Sequence, residues 1–301
     1  MSLHLAVDGG QSGMRARLVG DDLEEVTEHA GVLTDRTVLP QLARIVATAL
    51  AGRRADTVAL GVSGLAPDDG AAALHALIGD GVAEVLLTHD SITSYLGALG
   101  VREGAVVAAG TGAVTLAVGP REVRRVDGWG HLMGDLGSGF WIGREALTAV
   151  MRAFDGRGPD TALVGVAQVE FGDLTKAYLV LQADEQRVSR IAAWGRTVSD
   201  LAPTDEVCAD ISRRAGAHLA ESVAAGLLAT GASPVAACVG NVFRNPLVLE
   251  SFSDHLTRAV PGAVVRAAAG TGLDGAARLR EVADGSPLAG LIDRSRLHCQ
   301  P

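Results

Sequence analysis

The sequence predicts an α/β protein built from two similar units. Short apolar segments alternate with segments of helical periodicity along much of the 301 residues, the pattern of strands joined by helices. Two glycine turns, in LHLAVDGGQSGMRARLV at residues 3–19 and in VVAAGTGAVTLAV at residues 106–118, each separate two apolar strands. Because each turn opens one half of the chain, the pair indicates a duplicated unit.

The elements of the first half follow from local patterns. The predicted elements are strands at 5–7 and 14–19, a helix at 38–50, a strand at 57–61, a helix capped by Asp68-Asp69 and ending at Ile78, a strand at 83–88 and a helix opening at Asp90. Aspartate before a helix supplies the side-chain oxygen that a helix start needs.

In the second half, residues 140–229 are predicted to be largely helical. The remaining predictions are a strand at 234–240, a helix after Asn245, a strand at 263–267, a helix from Leu273 and a short helical pattern within 286–301. The uncharged stretch 222–243 resembles a membrane segment, but its Gly and Ala content and Pro234 favour a helix end, a turn and a buried strand. The predicted domains are 1–117, 118–285 with a helical insertion, and a segment 286–301 that packs back on the first.

Composition excludes several classes of partner. Hydrophobic residues make up 48% and charged residues 20%, which favours a large core. Aromatic residues are 3% and the net charge is −9, so neither nucleic acid nor a membrane is an expected partner. Cys208, Cys238 and Cys299 form no CxxC pair, which is typical of a reducing compartment. With no signal-like start, the expected location is cytoplasmic.

The first glycine turn, Asp8 to Gly13, has the composition of a phosphate-binding loop. Glycines let the backbone turn sharply and bring N–H groups close to a phosphate. An aspartate at a strand end can hold Mg²⁺ through water. The alternative is a plain β-hairpin. Gly110-Thr111-Gly112 repeats the same device between two strands, and the repetition strengthens the phosphate interpretation.

Asp90 lies where a strand ends and a helix begins, in Leu87-Thr88-His89-Asp90-Ser91. Two roles suit it: an N-cap, which is common for aspartate at such a position, or a general base that accepts a proton from an attacking hydroxyl. His89 beside it is interpreted as structural.

Residues 128–143, GWGHLMGDLGSGFWIG, form the densest motif. Five of the first twelve residues are glycine, interspersed with Trp129, His131 and Asp135. The segment is a poor helix and a poor strand, yet too apolar for a solvated loop. Ring and carboxylate side chains on such a segment suit a binding surface for a polyol, whose hydroxyl groups can donate hydrogen bonds to the carboxylate. The alternative is an irregular connector, and a metal site is disfavoured because further ligands are lacking.

Two other nucleotide motifs are excluded. Gly270-Thr271-Gly272-Leu273-Asp274-Gly275 spells GxGxxG, but too few residues follow it for a dinucleotide-binding βαβ unit. We interpret it as the last strand-to-helix turn of the second domain, near the nucleotide. A Walker A loop is ruled out because Lys176 is the one lysine in the chain and no Gly-Lys-Ser/Thr occurs.

Taken together, DGGQSG, Thr88-His89-Asp90, Ala109-Gly-Thr-Gly112 and the 128–143 block resemble the N-acetylglucosamine kinase branch of the BadF/BadG/BcrA/BcrD ATPase family. The likeness runs from residue 8 to about residue 279. It implies two ribonuclease-H-like (actin-like ATPase) domains with an interdomain cleft that takes ATP, Mg²⁺ and a sugar. By analogy with the family, a homodimer is expected.

The resemblance also implies roles for individual residues. Asp90 matches the catalytic base, and Asp8 the residue that holds Mg²⁺ through water. The residues matched to ATP are Asp8, Gly9, Gly10, Gln11, Ser12, Gly110, Thr111, Gly112, Gly240 and Asn241. Those matched to the sugar are Asp35, Ser63, Gly128, Trp129 and Asp135. Three positions depart from the family pattern: Asp35 replaces Asn, Leu136 replaces Glu, and Gln11 replaces Gly.

The implied activity is ATP-dependent phosphorylation of an amino sugar, foremost N-acetylglucosamine at its 6-hydroxyl. Glucosamine is an alternative substrate, because Asp35 stands where the family has an amide that contacts the sugar. A redox-activator ATPase with an iron–sulfur cluster is disfavoured, since no cysteine lies in the glycine-rich block. A non-catalytic sugar sensor is disfavoured because a binder has no need of a base at Asp90.

Overall fold

The computed structural model describes residues 2–10, 13–33 and 35–297. The chain forms two compact units. Unit 1 contains the residues up to 103, residues 118–123 and the residues from 267 onward. Unit 2 contains residues 104–117 and 124–266.

Strands and helices alternate along the chain. The strands are β1 (His4–Gly10), β2 (Gly13–Gly20), β3 (Leu23–His29), β4 (Ala55–Val62), β5 (Val82–Thr88), β6 (Gly104–Ala109), β7 (Ala113–Val118), β8 (Val123–Asp127), β9 (Val235–Val239), β10 (Val264–Ala267) and β11 (Asp293–Arg296). The helices are α1 (Leu39–Leu50), α2 (Ala71–Ile78), α3 (Asp90–Leu99), α4 (Gly139–Phe154), α5 (Leu163–Phe171), α6 (Ala177–Ala183), α7 (Arg187–Leu201), α8 (Glu206–Thr230), α9 (Pro246–Ala259) and α10 (Gly272–Arg278).

The two sheets share one strand order. In unit 1 the order is β3-β2-β1-β4-β5-β11, and in unit 2 it is β8-β7-β6-β9-β10. Strand β1 pairs antiparallel with β2 and parallel with β4, while β6 pairs parallel with β9. Both sheets thus place the strand before the glycine turn at the centre. The predicted α/β class and the duplicated ribonuclease-H-like architecture are confirmed, and the interdomain cleft stays a prediction.

Each unit has its own apolar core. In unit 1, Leu5 and Val7 of β1 are buried together with Leu42 of α1. In unit 2, Val107 of β6 is buried with Leu219 of the long helix α8. Strands β1 and β6, which precede the two glycine turns, are therefore each anchored in the apolar core of their own unit.

The unit boundaries differ from the division predicted at 117 and 285. Strand β6 and most of β7 lie in unit 2, and residues from 267 onward lie in unit 1. Strand β11, from the C-terminal segment, pairs antiparallel with β5. As a statement about separately folding domains, the predicted division stays a prediction.

The GxGxxG segment lies in unit 1, so its predicted assignment to the second domain is wrong. It forms the start of α10, where Leu273 and Ala276 are buried against Ala6 of β1. The sequence-based prediction followed chain order. Burial of an apolar helix face against the first sheet decides the actual position.

Most predicted elements coincide with observed ones, and one predicted cap is wrong. Helix α2 begins after Gly70, which provides no side-chain cap. Asp69 instead accepts the backbone N–H of Ala66 at 2.8 Å, while the N–H of Ala71 is donated to Asp293 at 2.7 Å. A residue distant in sequence therefore caps this helix. Strands β3, β8 and β11 were not predicted.

Within the described residues, no helix is both long enough and apolar enough to cross a membrane. The uncharged stretch 222–243 forms the end of α8, a turn and strand β9, as the sequence indicated.

The side chain of Asp205 joins the starts of helices α5 and α8 in unit 2. This residue is buried, with 9% of its surface exposed. It caps α8 by accepting the N–H groups of Val207 and Cys208, and it accepts the Thr161 hydroxyl and the Ala162 N–H, both at 2.7 Å. Burial raises the pKa of Asp205, but these hydrogen bonds outweigh burial, and the net pKa is lowered.

A lowered pKa means that ionised Asp205 stabilises the fold above its unfolded-state pKa of about 4. This stabilisation is lost as the pH falls through the lower pKa of the folded state. We expect Asp205→Ala to reduce the free energy of unfolding by about 2 kcal/mol at pH 7 and by less at pH 3. Urea unfolding at both pH values measures this. Asp254→Ala on the exposed face of α9 is the control, and an equal loss at both pH values would contradict the assignment.

Candidate active site

Asp8 ends up in a crowded polar environment in unit 1. Its Oδ1 accepts the hydroxyl of Thr93 on α3 at 2.8 Å. The pKa of Asp8 is raised to about 6, chiefly by burial and also by the charges of Asp90 and Asp274, while the Thr93 hydrogen bond and the charge of Arg15 lower it. The Asp8 carboxylate thus lies within the electrostatic influence of two further carboxylates, Asp90 and Asp274.

Asp90 is the first residue of α3, but it is not the cap. The N-cap is His89, whose ring nitrogen accepts the N–H of Ser91 at 3.2 Å. The Asp90 side chain is 38% exposed, and its Oδ1 lies 2.9 Å from Nδ1 of His89. The N-cap alternative is therefore wrong, and the carboxylate of Asp90 remains open to solvent beside Asp8.

Helices α3 and α10 approach so closely that only glycine fits between them. A Cβ on Gly97 would lie 1.9 Å from the carbonyl oxygen of Thr271, and one on Gly275 would lie 1.8 Å from that of Thr93. A Cβ on Gly272 would lie 2.4 Å from a carboxylate oxygen of Asp8. This packing places the start of α10 directly against Asp8.

The predicted sugar residues of unit 1 are partly described. Ser63 donates its N–H to the carbonyl of Gly9 at 3.3 Å. A Cβ added to Gly10 would lie 2.1 Å from the hydroxyl oxygen of Ser63. Asp35 is exposed. Gln11, Ser12 and Thr34 lie outside the described residues. Ser63 is therefore next to the first glycine turn, as the resemblance implies, and its role stays a prediction.

In unit 2 the second glycine turn is held by the start of α4. The N–H of Gly110 bonds to the carbonyl of Gly112 at 2.9 Å, which closes the turn. Gly139 and Phe140 donate their N–H groups to the carbonyls of Gly110 and Thr111 at 2.8 and 3.0 Å. The structure thus brings together two motifs that are distant in sequence, Gly110–Gly112 and the end of the 128–143 block.

The glycine spacing of that block has a packing cause. A Cβ on Gly143 would lie 1.8 Å from the carbonyl oxygen of Ile191 on α7, and Gly139 lies against Ala192 and Gly195. Helices α4 and α7 therefore contact each other through backbone atoms. This contact fixes the direction in which α4 presents its first turn to Gly110.

Asp127 organises the first part of the block and was missed by sequence reasoning. Its Oδ1 accepts the N–H groups of Gly128 and Asp135 at 2.7 and 2.8 Å, and its Oδ2 accepts that of Leu136 at 3.0 Å. Its φ of 58° is in the left-handed region, which aspartate tolerates better than most residues. An acidic residue directly before the glycine-rich block was the available signal.

Asp135 is buried and lies against the second glycine turn. A Cβ on Gly112 would meet its Oδ2 at 2.7 Å. Burial and the charge of Asp127 raise the pKa of Asp135, while backbone hydrogen bonds from Gly130 and Ala113 lower it. The carboxylate thus links the turn to the 128–136 loop.

Trp129 and its neighbours form the exposed side of the block. Trp129 is 62% exposed, with the guanidinium of Arg125 lying 5.2 Å from the ring centroid. Arg125 also donates to the carbonyl of Gly128. Leu132 and Met133 are exposed as well. The loop, whose backbone is held by Asp127, therefore presents an aromatic ring and apolar side chains to solvent.

A cavity of about 580 Å³ in unit 2 adjoins the second glycine turn. It is lined by the predicted Gly110, Thr111 and Asn241, and on α7 by Ser189, Ala192, Ala193, Arg196 and Ser199. The face of α7 was missed because its small residues are ordinary helix composition. Gly240, with a φ of 105°, has room for no Cβ, since one would lie 2.2 Å from the carbonyl oxygen of Ala109.

The donor chemistry around Asp8 fits Mg²⁺. The ion prefers carboxylate oxygens and keeps most of its waters, and a buried carboxylate near two further negative charges gains from a nearby cation. In residues 2–10, 13–33 and 35–297, no three acidic, histidine or cysteine side chains converge on one point. Asp8 would accordingly hold the ion through water.

The described cysteines do not favour an iron–sulfur cluster. Burial raises the pKa of both Cys208 and Cys238 to about 12, and a thiol that stays protonated is a poor metal ligand. The third cysteine of the chain, Cys299, lies outside the described residues.

A family model for the BadF/BadG/BcrA/BcrD ATPase family matches residues 5–279, which is most of the chain. The chain belongs to this ATPase family. Two curated proteins align with parts of this family member. An N-acetylmuramic acid/N-acetylglucosamine kinase of Clostridium acetobutylicum is 32% identical over 126 residues, 41% of this chain and 38% of that protein. An N-acetyl-D-glucosamine kinase of Dictyostelium discoideum is 44% identical over 64 residues, 21% of this chain and 20% of that protein.

The matched segments thus span well under half of either curated relative. Among solved structures, a proposed N-acetylglucosamine kinase from Chromobacterium violaceum superposes with a TM-score of 0.70 and 23% identity. The superposition covers 92% of this family member and 98% of that protein. At that identity the likeness establishes the actin-like fold and no more.

Proposed function

We propose that the protein transfers the γ-phosphoryl group of ATP to an amino sugar, foremost the 6-hydroxyl of N-acetylglucosamine. The observation that carries the proposal is the Asp90 carboxylate, which is exposed, takes no part in capping and acts electrostatically on Asp8. Membership of an ATPase family supports ATP as the donor. The names of the two curated relatives support an amino sugar as the acceptor.

In the proposed reaction Asp90 is the general base. Its carboxylate accepts the proton of the sugar hydroxyl as that oxygen bonds to the γ-phosphorus, and the bond to the bridging oxygen of ADP breaks. Phosphoryl transfer needs little covalent help from a protein, so positioning and charge stabilisation account for most of the rate. The proposed phosphate donors are backbone N–H groups of the two glycine turns, apart from that of Gly110, which closes its own turn.

Asp8 is the residue that would hold Mg²⁺, and a bound ion supplies neutralisation of phosphate charge. Thr93 fixes the orientation of Asp8, because its hydroxyl lies 2.8 Å from the carboxylate and 2.9 Å from the backbone carbonyl of Asp90. One side chain therefore ties the proposed metal-holding residue to the helix turn that carries the proposed base.

The 128–136 loop is the proposed sugar-binding surface, with Gly128, Trp129 and Asp135 matched to the sugar. Asp35 and Ser63 complete the matched set in unit 1. Glucosamine remains the alternative acceptor because Asp35 is charged where the family has a neutral amide. The homodimer and the cytoplasmic location stay predictions from the sequence.

An ADP-release assay with a panel of sugars tests the proposal. The panel is N-acetylglucosamine, glucosamine, N-acetylmannosamine, N-acetylmuramic acid and glucose, with a sugar-free arm that measures ATP hydrolysis alone. We expect the highest kcat/KM with N-acetylglucosamine, and a 6-phosphate by phosphorus NMR of the product. Sugar binding without any ADP release would support the sensor alternative and reject the kinase.

Asp127 offers a test of the sugar surface. Asp127→Asn replaces one acceptor oxygen by an N–H₂ group that would face a backbone N–H, so we expect the 128–136 loop to loosen. The expected result is a KM for the sugar raised about tenfold, with a smaller change in kcat. Glu122→Gln, at an exposed carboxylate just before β8, is the charge-matched control. A raised KM for ATP alone would contradict this role.

A further inference from the structure

The sequence indicates a structural role for His89, but its ring nitrogen Nδ1 is close to three polar atoms. It accepts the N–H of Ser91 at 3.2 Å, lies 2.9 Å from the hydroxyl oxygen of Ser91 and lies 2.9 Å from Oδ1 of Asp90. The N–H can only donate, the hydroxyl can donate or accept, and an ionised carboxylate can only accept. One nitrogen cannot serve all three, so the position of the ring proton decides which partner it serves.

The contact between His89 and Asp90 is favourable only when a proton lies between the two side chains. With a bare Nδ1, the lone pair of the nitrogen would face a negatively charged oxygen at 2.9 Å. With a proton on Nδ1, the same nitrogen can donate to the carboxylate, and the ring stays neutral if Nε2 is bare. The proximity of the carboxylate therefore favours the ring form that carries its proton on Nδ1.

The start of α3 has support that does not depend on the His89 ring. The backbone carbonyl of His89 accepts the N–H of Ile92 at 3.0 Å, and the Thr93 hydroxyl lies 2.9 Å from the backbone carbonyl of Asp90. Ser91 is only partly buried, so water can satisfy its N–H when Nδ1 does not. The ring of His89 can therefore serve Asp90 without loss of the helix.

The Asp90 carboxylate has few other constraints on its orientation. Asp127 accepts three backbone N–H groups, and Asp8 accepts the hydroxyl of the buried Thr93. Apart from His89, no residue in 2–10, 13–33 and 35–297 forms a hydrogen bond or an ion pair with the Asp90 carboxylate, which is 38% exposed. A general base has to meet the acceptor hydroxyl within hydrogen-bonding distance. The fixed orientation that this requires depends on His89.

We propose that His89 is a positioning residue for Asp90. Its Nδ1–H donates to Oδ1, which leaves the second carboxylate oxygen to face the sugar hydroxyl. The inference rests on the proposed function, which makes Asp90 the general base. Holding one oxygen restricts rotation of the carboxylate, and misplacement of a reacting group costs up to about 10²-fold in rate.

His89→Ser tests the inference, because serine is a preferred N-cap but its side chain ends before the position of Nδ1. We expect kcat with N-acetylglucosamine to fall about tenfold, while the KM for the sugar changes by less than about twofold. The thermal midpoint should stay within about 2 °C, since the cap is kept. His255→Ser, at an exposed histidine of α9 in unit 2, is the matched control.

His89→Asn is the rescue variant. Its amide oxygen can cap α3 while its amide N–H₂ donates to Asp90, so we expect kcat to return to within about threefold of the wild type. Loss of kcat in His89→Ser with recovery in His89→Asn supports the positioning role. Wild-type kcat in His89→Ser, or equal losses in the two variants, would overturn it.

Nitrogen NMR of the histidine rings locates the proton and needs no turnover. The His89 signals are those that are absent from His89→Ser or His89→Asn. At about pH 8, where an ordinary histidine ring is neutral, we expect the His89 proton on Nδ1. A bare Nδ1 with the proton on Nε2 would contradict the inference, because such a ring cannot donate to Asp90.

The same experiments separate this inference from the proposed function. A wild-type protein that releases no ADP with any sugar of the panel rejects the kinase, and the positioning role is rejected with it. A wild-type protein that phosphorylates an amino sugar, and does so equally fast as His89→Ser, keeps the kinase and rejects the positioning role alone.

Discussion

Asp90→Asn is expected to lower kcat by about 10²–10⁴-fold, the range for loss of a general base. Asparagine keeps the size and shape of the side chain but cannot accept the proton from the sugar hydroxyl. Since the Asp90 side chain does not cap α3, the helix should form normally. The KM for the sugar should change little, because the substitution removes an interaction made mainly in the transition state.

Steady-state kinetics with saturating ATP and N-acetylglucosamine give both parameters. Asp80→Asn, at an exposed position of the same unit, is the matched control for loss of one carboxylate. Thermal unfolding of both variants should match that of the wild type. Turnover near the wild-type rate in Asp90→Asn would reject Asp90 as the base and leave its position near Asp8 without a catalytic meaning.

Much of the fold was accessible to sequence reasoning because apolar periodicity is a local signal. The strands around both glycine turns, the helix that opens at Asp90 and the long helix α8 all follow from it. Strand β3, LEEVTEH, was missed because its burial alternates only weakly and its surface is charged. Such composition is typical of an edge strand, which a search for apolar runs passes over.

The candidate site was harder to predict because it depends on contacts between distant residues. Asp8 and Asp90 each follow a strand of the predicted sheet and could be paired by position. Nothing near Thr93 indicated that its hydroxyl joins them. Likewise, Asp127 acts by accepting three N–H groups of a loop whose path no local pattern describes.

The contact between α3 and α10 depends on residues that are distant in sequence, so no local sequence pattern could predict it. The sequence indicates a strand-to-helix turn near the nucleotide for the segment that contains Gly275, whereas the structural role of this glycine is to let two helix backbones meet. A Cβ there would lie 1.8 Å from the carbonyl oxygen of Thr93 and 2.6 Å from the nitrogen of Gly97. Both obstacles are backbone atoms, so no side-chain rotation relieves the clash.

We therefore expect Gly275→Ala to lower the free energy of unfolding by about 3 kcal/mol, the upper part of the usual range for overpacking. This is a net loss, since alanine itself favours a helix over glycine by about 1 kcal/mol. Moving α3 away from α10 also displaces Thr93 and the turn that carries Asp90, so kcat should fall as well. Urea unfolding and the ADP-release assay measure the two effects.

Gly165→Ala is the matched control, because Gly165 lies within helix α5 and a Cβ there would meet nothing within 4 Å. The same substitution should there stabilise the protein by about 0.5–1 kcal/mol, through helix propensity and a less flexible unfolded chain. If Gly275→Ala lowers the free energy of unfolding and Gly165→Ala raises it, the loss of stability at Gly275 comes from the α3–α10 contact. If Gly275→Ala were as stable as Gly165→Ala, the two helices could not lie as close as the structure places them.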